Sequence, residues 1–122
     1  MTSITENPHA GGFILSEANG KRSRENVTIV QGEGALPAGT VLGKITVSGK
    51  YRAYDNNGTD GSETAAAILI HPVDATDADV DAAVIARDAE VNQHELVWAE
   101  DNNTSDIEAG IADLENVGII VR

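Results

Sequence analysis

Thr40-Val-Leu-Gly-Lys-Ile-Thr-Val47, Ser48-Gly49 and Lys50-Tyr-Arg-Ala-Tyr54 form one continuous stretch, and its reading decides the fold. β-Branched and aromatic residues recur with the period of a strand that buries one face. Val41, Ile45 and Val47 fall on that face. Gly43 lies between them, as a bulge or a close approach of another backbone. Ser48-Gly49 is a tight turn, so residues 40–54 read as a β-hairpin. Upstream, Leu36-Pro37-Ala38-Gly39 reads as a type I turn, with Pro second and Gly fourth. Val27-Thr-Ile-Val-Gln31 is a short strand ended by Gly32-Glu-Gly34.

Downstream of the hairpin, Asp55 to Gly61 is a turn-rich loop. Ala65-Ala-Ala-Ile-Leu-Ile70 is a continuous apolar run, the pattern of a buried strand, and His71-Pro72 ends it. Asp74 to Asp81 reads as an acidic loop. Val80 to Arg87 and Val91 to Ala99 are further strand candidates, and their periodicity also suits helix. A helix is expected at about 105–117, with Ser105 and Glu108 as a capping box and Gly118 as a left-handed C-cap. Ile107, Ile111 and Leu114 share its apolar face. Ile119-Ile-Val121 closes the chain as a strand. The expected fold is mainly β: a bent β-ribbon or β-clip-like small barrel with one short C-terminal helix and an extended N-terminal arm.

The 122 residues suit one domain. Of 50 hydrophobic residues 17 are Ala and only four are aromatic, Phe13, Tyr51, Tyr54 and Trp98, so the core is thin. Self-association is then a natural further source of burial. The net charge of −12 argues against direct nucleic-acid binding. It is unevenly spread: residues 1–54 carry net +2 and residues 55–122 carry net −14. Zero Cys excludes disulfides, thiolate metal sites and a Cys nucleophile. No apolar run approaches a membrane span. Met1 to Glu6 lacks the basic and apolar regions of a signal peptide, so a cytosolic site of synthesis is expected.

Residues 1–26 show neither strand nor helix periodicity and are expected to form a separate arm, with the compact domain at 27–122. The arm contains one apolar triplet, Phe13-Ile14-Leu15, and a basic cluster, Lys21, Arg22 and Arg24. Two readings stand: a tail with an incidental apolar cluster, or a recognition arm that orders on a partner with the triplet as anchor. Trp98 reads either as a core anchor or as a subunit-interface residue.

Catalytic and metal chemistry find little support. No register of the Asp55 loop supplies an EF-hand: starting at Asp55 puts Asp60 where Gly is needed, and starting at Asn56 puts Ala67 where Glu is needed. Asp77, Asp79 and Asp81 alternate and could face a cation together, but such alternation more often marks a solvated edge. His9, His71 and His94 lack metal-ligand spacing. His94 alternates with Leu96 and Trp98, as on a partly buried strand. No nucleophile elbow, P-loop or dinucleotide fingerprint occurs. The expectation is a protein without enzymatic activity, cofactor or metal.

The ordered set Gly34-Ala-Leu-Pro-Ala-Gly-Thr-Val-Leu-Gly-Lys44, Lys50-Tyr51, a Gly/Asp-rich turn, the Ala-Ile-Leu strand, Glu95-Leu-Val-Trp-Ala-Glu100, a helix and Gly118-Ile-Ile-Val-Arg122 resembles the head decoration, or capsid cement, proteins of tailed bacteriophages, of the phage lambda D type. The resemblance runs from Gly32 to Arg122. It implies homotrimers at three-fold and quasi-three-fold sites of the expanded head, made in the host bacterial cytoplasm and located on the outer surface of the virion capsid. It implies a structural role, holding the major capsid protein lattice against packaged-DNA pressure, and an arm that pairs with strands of the major capsid protein. An arm of this length reaches about 85 Å at most, far beyond a body whose radius of gyration is about 14 Å. Two competing readings are a small acidic cytosolic β-domain that binds a protein or ligand, and a divalent-cation module built on Asp74 to Asp81.

Overall fold

The computed structural model describes residues 10–100 and 102–122. Ten strands, one 3-10 turn and one α-helix follow in chain order: β1 (Ile14–Glu17), β2 (Arg24–Ile29), β3 (Gly34–Leu36), β4 (Val41–Lys44), β5 (Tyr51–Ala53), β6 (Ala65–Leu69), β7 (Val73–Ala75), β8 (Val80–Ile85), β9 (Ala89–Val91), the 3-10 turn (Gln93–Glu95), α1 (Thr104–Asn116) and β10 (Ile119–Val121). Strands β2-β5-β4-β6-β8 close into a small barrel. β1-β9-β10 form a three-stranded sheet, and β3 pairs with β7. The fold is mainly β with one short C-terminal helix, as the sequence leads one to expect.

Strand β6 explains the core. β4 and β8 pair with its edges and a hydrophobic cluster covers each of its faces, so both faces are apolar. Ile68 and Ile70 enter one cluster with Phe13, Val41, Tyr54, Ile85, Val91, Leu114 and Ile119. Ala67 and Leu69 enter the other, inside the barrel, with Ile29, Leu42, Tyr51 and Val84. The same alternation splits Val41 from Leu42 and Ile85 from Val84. A strand buried on both sides loses the polar half of its pattern, hence Ala-Ala-Ala-Ile-Leu-Ile.

The hairpin forms as expected, with β4 antiparallel to β5 and the Ile45 amide donating to Lys50 O at 2.8 Å. Val47 differs: it stands at the tip, 97% exposed, because the strand stops at Lys44. Gly43 is both things the sequence suggests. The β4–β6 register shifts beside it, and a Cβ there would meet Ser62 O at 2.4 Å.

Three local readings are corrected. The turn at Pro37 is shifted by one residue: the Thr40 amide donates to Pro37 O at 3.3 Å, so Gly39 is third. Its φ of +90° suits a type II turn, not type I. The helix starts earlier than Ser105. Asn103 is the N-cap, and Asp106 completes the capping box, at 3.0 and 3.1 Å. Asp106 also accepts from Asn56 Nδ2 at 2.9 Å, which ties this cap, rather than one at Ser105, to the Asp55 loop. The segment 91–99 is not one strand. Asn92 Oδ1 accepts the His94 amide at 3.0 Å, and this local bond starts a 3-10 turn in place of an extended ladder. His94 is consequently exposed. Gly118 does take the left-handed conformation, φ +88°, and β10 follows it.

The acidic stretch 74–81 also differs from a plain loop. Val73–Ala75 is β7, antiparallel to β3, and Val80 already begins β8.

Candidate functional site

Residues 1–9 of the expected arm lie outside the described residues. From Ala10 onward the segment pairs and packs with the rest of the described chain. The Gly11 amide donates to Ile70 O at 3.0 Å. Phe13 is 1% exposed and sits in the core, with its carbonyl accepting from the Asn92 amide at 2.8 Å. β1 then runs antiparallel to β9, and β2, which begins at Arg24, pairs along its whole length with β8. The sequence hides this because the strand is four residues long and carries a bulge. Periodicity needs a longer run.

The triplet is therefore divided among three environments. Phe13 is core, Ile14 packs half-buried against that core, and Leu15 is 53% exposed. The bulge between Ile14 and Ser16 produces the last of these: two residues of β1 oppose one step of β9, and Leu15 turns outward beside Ser16. Register places Ser16, Glu90 and Ile120 across the exposed face of the three strands. Ser16 Oγ donates to Glu90 Oε2 at 3.0 Å, and Arg122 donates to Glu90 Oε1 at 2.9 Å. These bonds, Arg122 first, hold the Glu90 carboxyl below its ordinary pKa. Ile120 is 45% exposed. Leu15 and Ile120 thus leave two large apolar side chains on one small sheet face. Ile120 was not singled out from sequence, because a terminal Ile-Ile-Val strand does not disclose which residue faces outward.

The basic cluster is divided as well. Arg24 grips Glu17 with two hydrogen bonds, 2.9 and 2.7 Å, and this pair lowers the Glu17 pKa against the opposing effect of burial. Arg22 lies 3.7 Å from Asp88, both largely exposed, and its carbonyl accepts from Arg87. Lys21 is exposed with no ion pair among the described residues. Beneath them Ser23 is fully buried: its hydroxyl donates to Asp88 O at 2.7 Å and accepts from the Ala18 amide at 2.9 Å.

Trp98 is half-buried against the core. Its ring stands edge-on to Tyr54 and covers Gly110 of α1. The Asp74–Asp81 carboxylates do not converge. Asp79 receives Lys50 Nζ at 2.6 Å and the Gln31 amide at 2.7 Å, Asp74 bonds Thr76, and Thr28 reaches Asp81 at 3.4 Å. In the Asp55 loop, Asp60 is occupied by Ser62. No helix is long and apolar enough to cross a membrane among the described residues.

The arrangement is a closed barrel, a docked helix and an outward sheet face, with the N-terminal segment paired along the edge of that sheet. The model of the family described as bacteriophage lambda head decoration protein D matches residues 3–119 of the 122. The chain belongs to that family. The match starts inside the N-terminal segment, well upstream of the Gly32–Arg122 stretch that carries the motif resemblance. No curated protein matches the chain. Family membership indicates a capsid decoration role at the phage head, in a family that is structural.

Proposed function

We propose that the protein binds the outer surface of the expanded phage head as homotrimers at three-fold and quasi-three-fold sites, and that it holds the major capsid protein lattice against the pressure of packaged DNA. The observation that carries this reading is the family match across 117 positions, 3–119, on a chain whose fold is a small barrel with one helix. The thin core supports self-association, because a trimer adds burial that an Ala-rich body of this size lacks. Synthesis in the host cytoplasm and assembly onto the finished shell complete the reading.

The N-terminal segment is the proposed capsid contact. Phe13 anchors it to its own body, while Leu15 and Lys21 are exposed toward the major capsid protein and Arg22, paired loosely with Asp88, is largely exposed beside them. Residues 2–9 extend this contact, since a short stretch of chain can add to a partner's sheet by backbone bonds alone. Trp98 is proposed as a core anchor of the helix rather than a trimer contact, because its ring is spent on Tyr54 and Gly110. A co-sedimentation titration of purified protein against expanded, undecorated heads tests the reading. Saturable binding is expected. No binding to expanded heads contradicts it.

A further inference from the structure

Two Asn-Gly pairs occur in the chain, Asn19-Gly20 and Asn57-Gly58. Both asparagines are exposed. In such a pair the glycine amide nitrogen can attack the asparagine side-chain carbonyl carbon, because glycine brings no Cβ to obstruct the approach. Whether attack occurs depends on what holds that amide.

The two loops differ in this respect. The Gly58 amide donates to Asp55 O at 2.9 Å, and the Asn57 amide donates to Asp55 Oδ1 at 3.0 Å. Asp55 is itself fixed, its amide donating to Ser62 O at 3.1 Å. Gly58 nitrogen is thus held in a closed turn. The Asn19 and Gly20 amides, in contrast, have no acceptor among the described residues. Their loop is held at its flanks, by the Ala18 amide on Ser23 Oγ, the Arg24 amide on Lys21 O and Arg87 on Arg22 O, none of which engages the Asn19 or Gly20 amide. Gly20 has φ +69° with open space around it. Lys21 and Arg22 follow directly, both exposed, and their positive charge favours the amide anion that attacks.

We propose that Asn19 is a site of spontaneous deamidation in the folded protein and that Asn57 is protected. The Gly20 nitrogen bonds to Asn19 Cγ and the Cγ–Nδ2 bond breaks. Ammonia leaves, carrying the proton that the Gly20 amide gave up. Water then opens the succinimide ring at either carbonyl, giving aspartate or isoaspartate, with no oxidant or reductant involved. The product sets a new carboxylate beside Lys21 and Arg22, and the isoaspartate form lengthens the backbone between β1 and β2.

The test holds the full-length protein for days at mildly alkaline pH, with a parallel sample in urea, followed by digestion and peptide mass spectrometry. In the folded sample the Asn19 peptide gains the mass of amide-to-acid conversion and separates into two isomers, while the Asn57 peptide keeps its amide. An acidic isoform grows in ion-exchange chromatography, and Asn19→Gln abolishes it. In urea both peptides convert at similar rates, because the Asp55 turn is gone. Equal conversion of the two peptides in the folded protein overturns the proposal. So does retention of both amides in the folded protein while the urea sample converts.

Discussion

Trp98 meets Tyr54 edge-on, with ring centroids 5.8 Å apart and planes inclined at 75°, and Gly110 of α1 fits beneath the pair. A Cβ at Gly110 would stand 2.7 Å from Trp98 Cζ3 and 3.0 Å from Tyr54 Cε2. Two rigid rings cannot both give way. Gly110→Ala gains about 1 kcal/mol of helix propensity, yet overpacking of about 1–3 kcal/mol opposes it. Urea denaturation is expected to find Gly110→Ala no more stable than wild type and Gly110→Val clearly less stable. A large gain for Gly110→Ala would show that the helix can move off the rings.

The helix cap gives a second contrast. Asn103→Ala removes the N-cap side chain and is expected to cost about 1 kcal/mol. Ser105→Ala, in the first turn and exposed, is expected to change stability by less than about 0.5 kcal/mol. Thermal melts of the two variants decide between caps.

Gly43 marks where two backbones touch. Its added Cβ would lie 2.4–2.8 Å from Ser62 backbone atoms, which cannot rotate away. Gly43→Ala is expected to destabilise by about 3 kcal/mol, at the upper end of overpacking costs. Denaturation midpoints read this directly.

These cases show where the sequence is readable. The hairpin at 40–54, the buried strand at 65–70, the helix and the glycines at 43 and 118 follow from local rules of pattern and backbone freedom. The N-terminal segment does not. Phe13 is held by Asn92 and by β6 residues far along the chain, and nothing near Phe13 announces that. The cap at Asn103 rests on its own side-chain bond to the Asp106 amide, reciprocated by Asp106, and Asn56, distant in sequence, adds a further bond to Asp106. The 3-10 turn replaced a strand because one Asn side chain offered a closer partner than a neighbouring strand did. In each case a long-range or side-chain contact outweighed a short local pattern.

Stability should fall at alkaline pH. Tyr54 is buried, and its hydroxyl proton is shared between Asp106 O at 2.8 Å and Asn56 Oδ1 at 3.0 Å. Burial, then the charges of Asp113, Asp106 and Asp55, pushes its pKa from 10.0 to about 12. The folded state therefore keeps the proton that the unfolded state has lost. The contribution is intact below pH 10.0 and disappears as pH rises toward about 12. Tyr54→Phe is expected to be less stable at neutral pH and to lack this part of the alkaline decline. Identical alkaline profiles would remove Tyr54 as the source.

The N-terminal segment separates folding from binding. Phe13→Ala empties a core site and is expected to cost about 3–5 kcal/mol. Leu15→Ala alters a half-exposed side chain and should leave the melting temperature nearly unchanged while weakening attachment to heads. Removal of residues 2–26 should unfold the protein by deleting Phe13, β1 and part of β2. Circular dichroism and co-sedimentation with heads, run on the same samples, distinguish the two effects.

Cryo-microscopy of expanded heads saturated with the protein is the most direct measurement of the central claim. The account predicts added density on the outer surface in clusters of three, at every three-fold and quasi-three-fold position, into which the β-barrel and helix fit. Bare heads, or density present only as single copies or pairs, would contradict it.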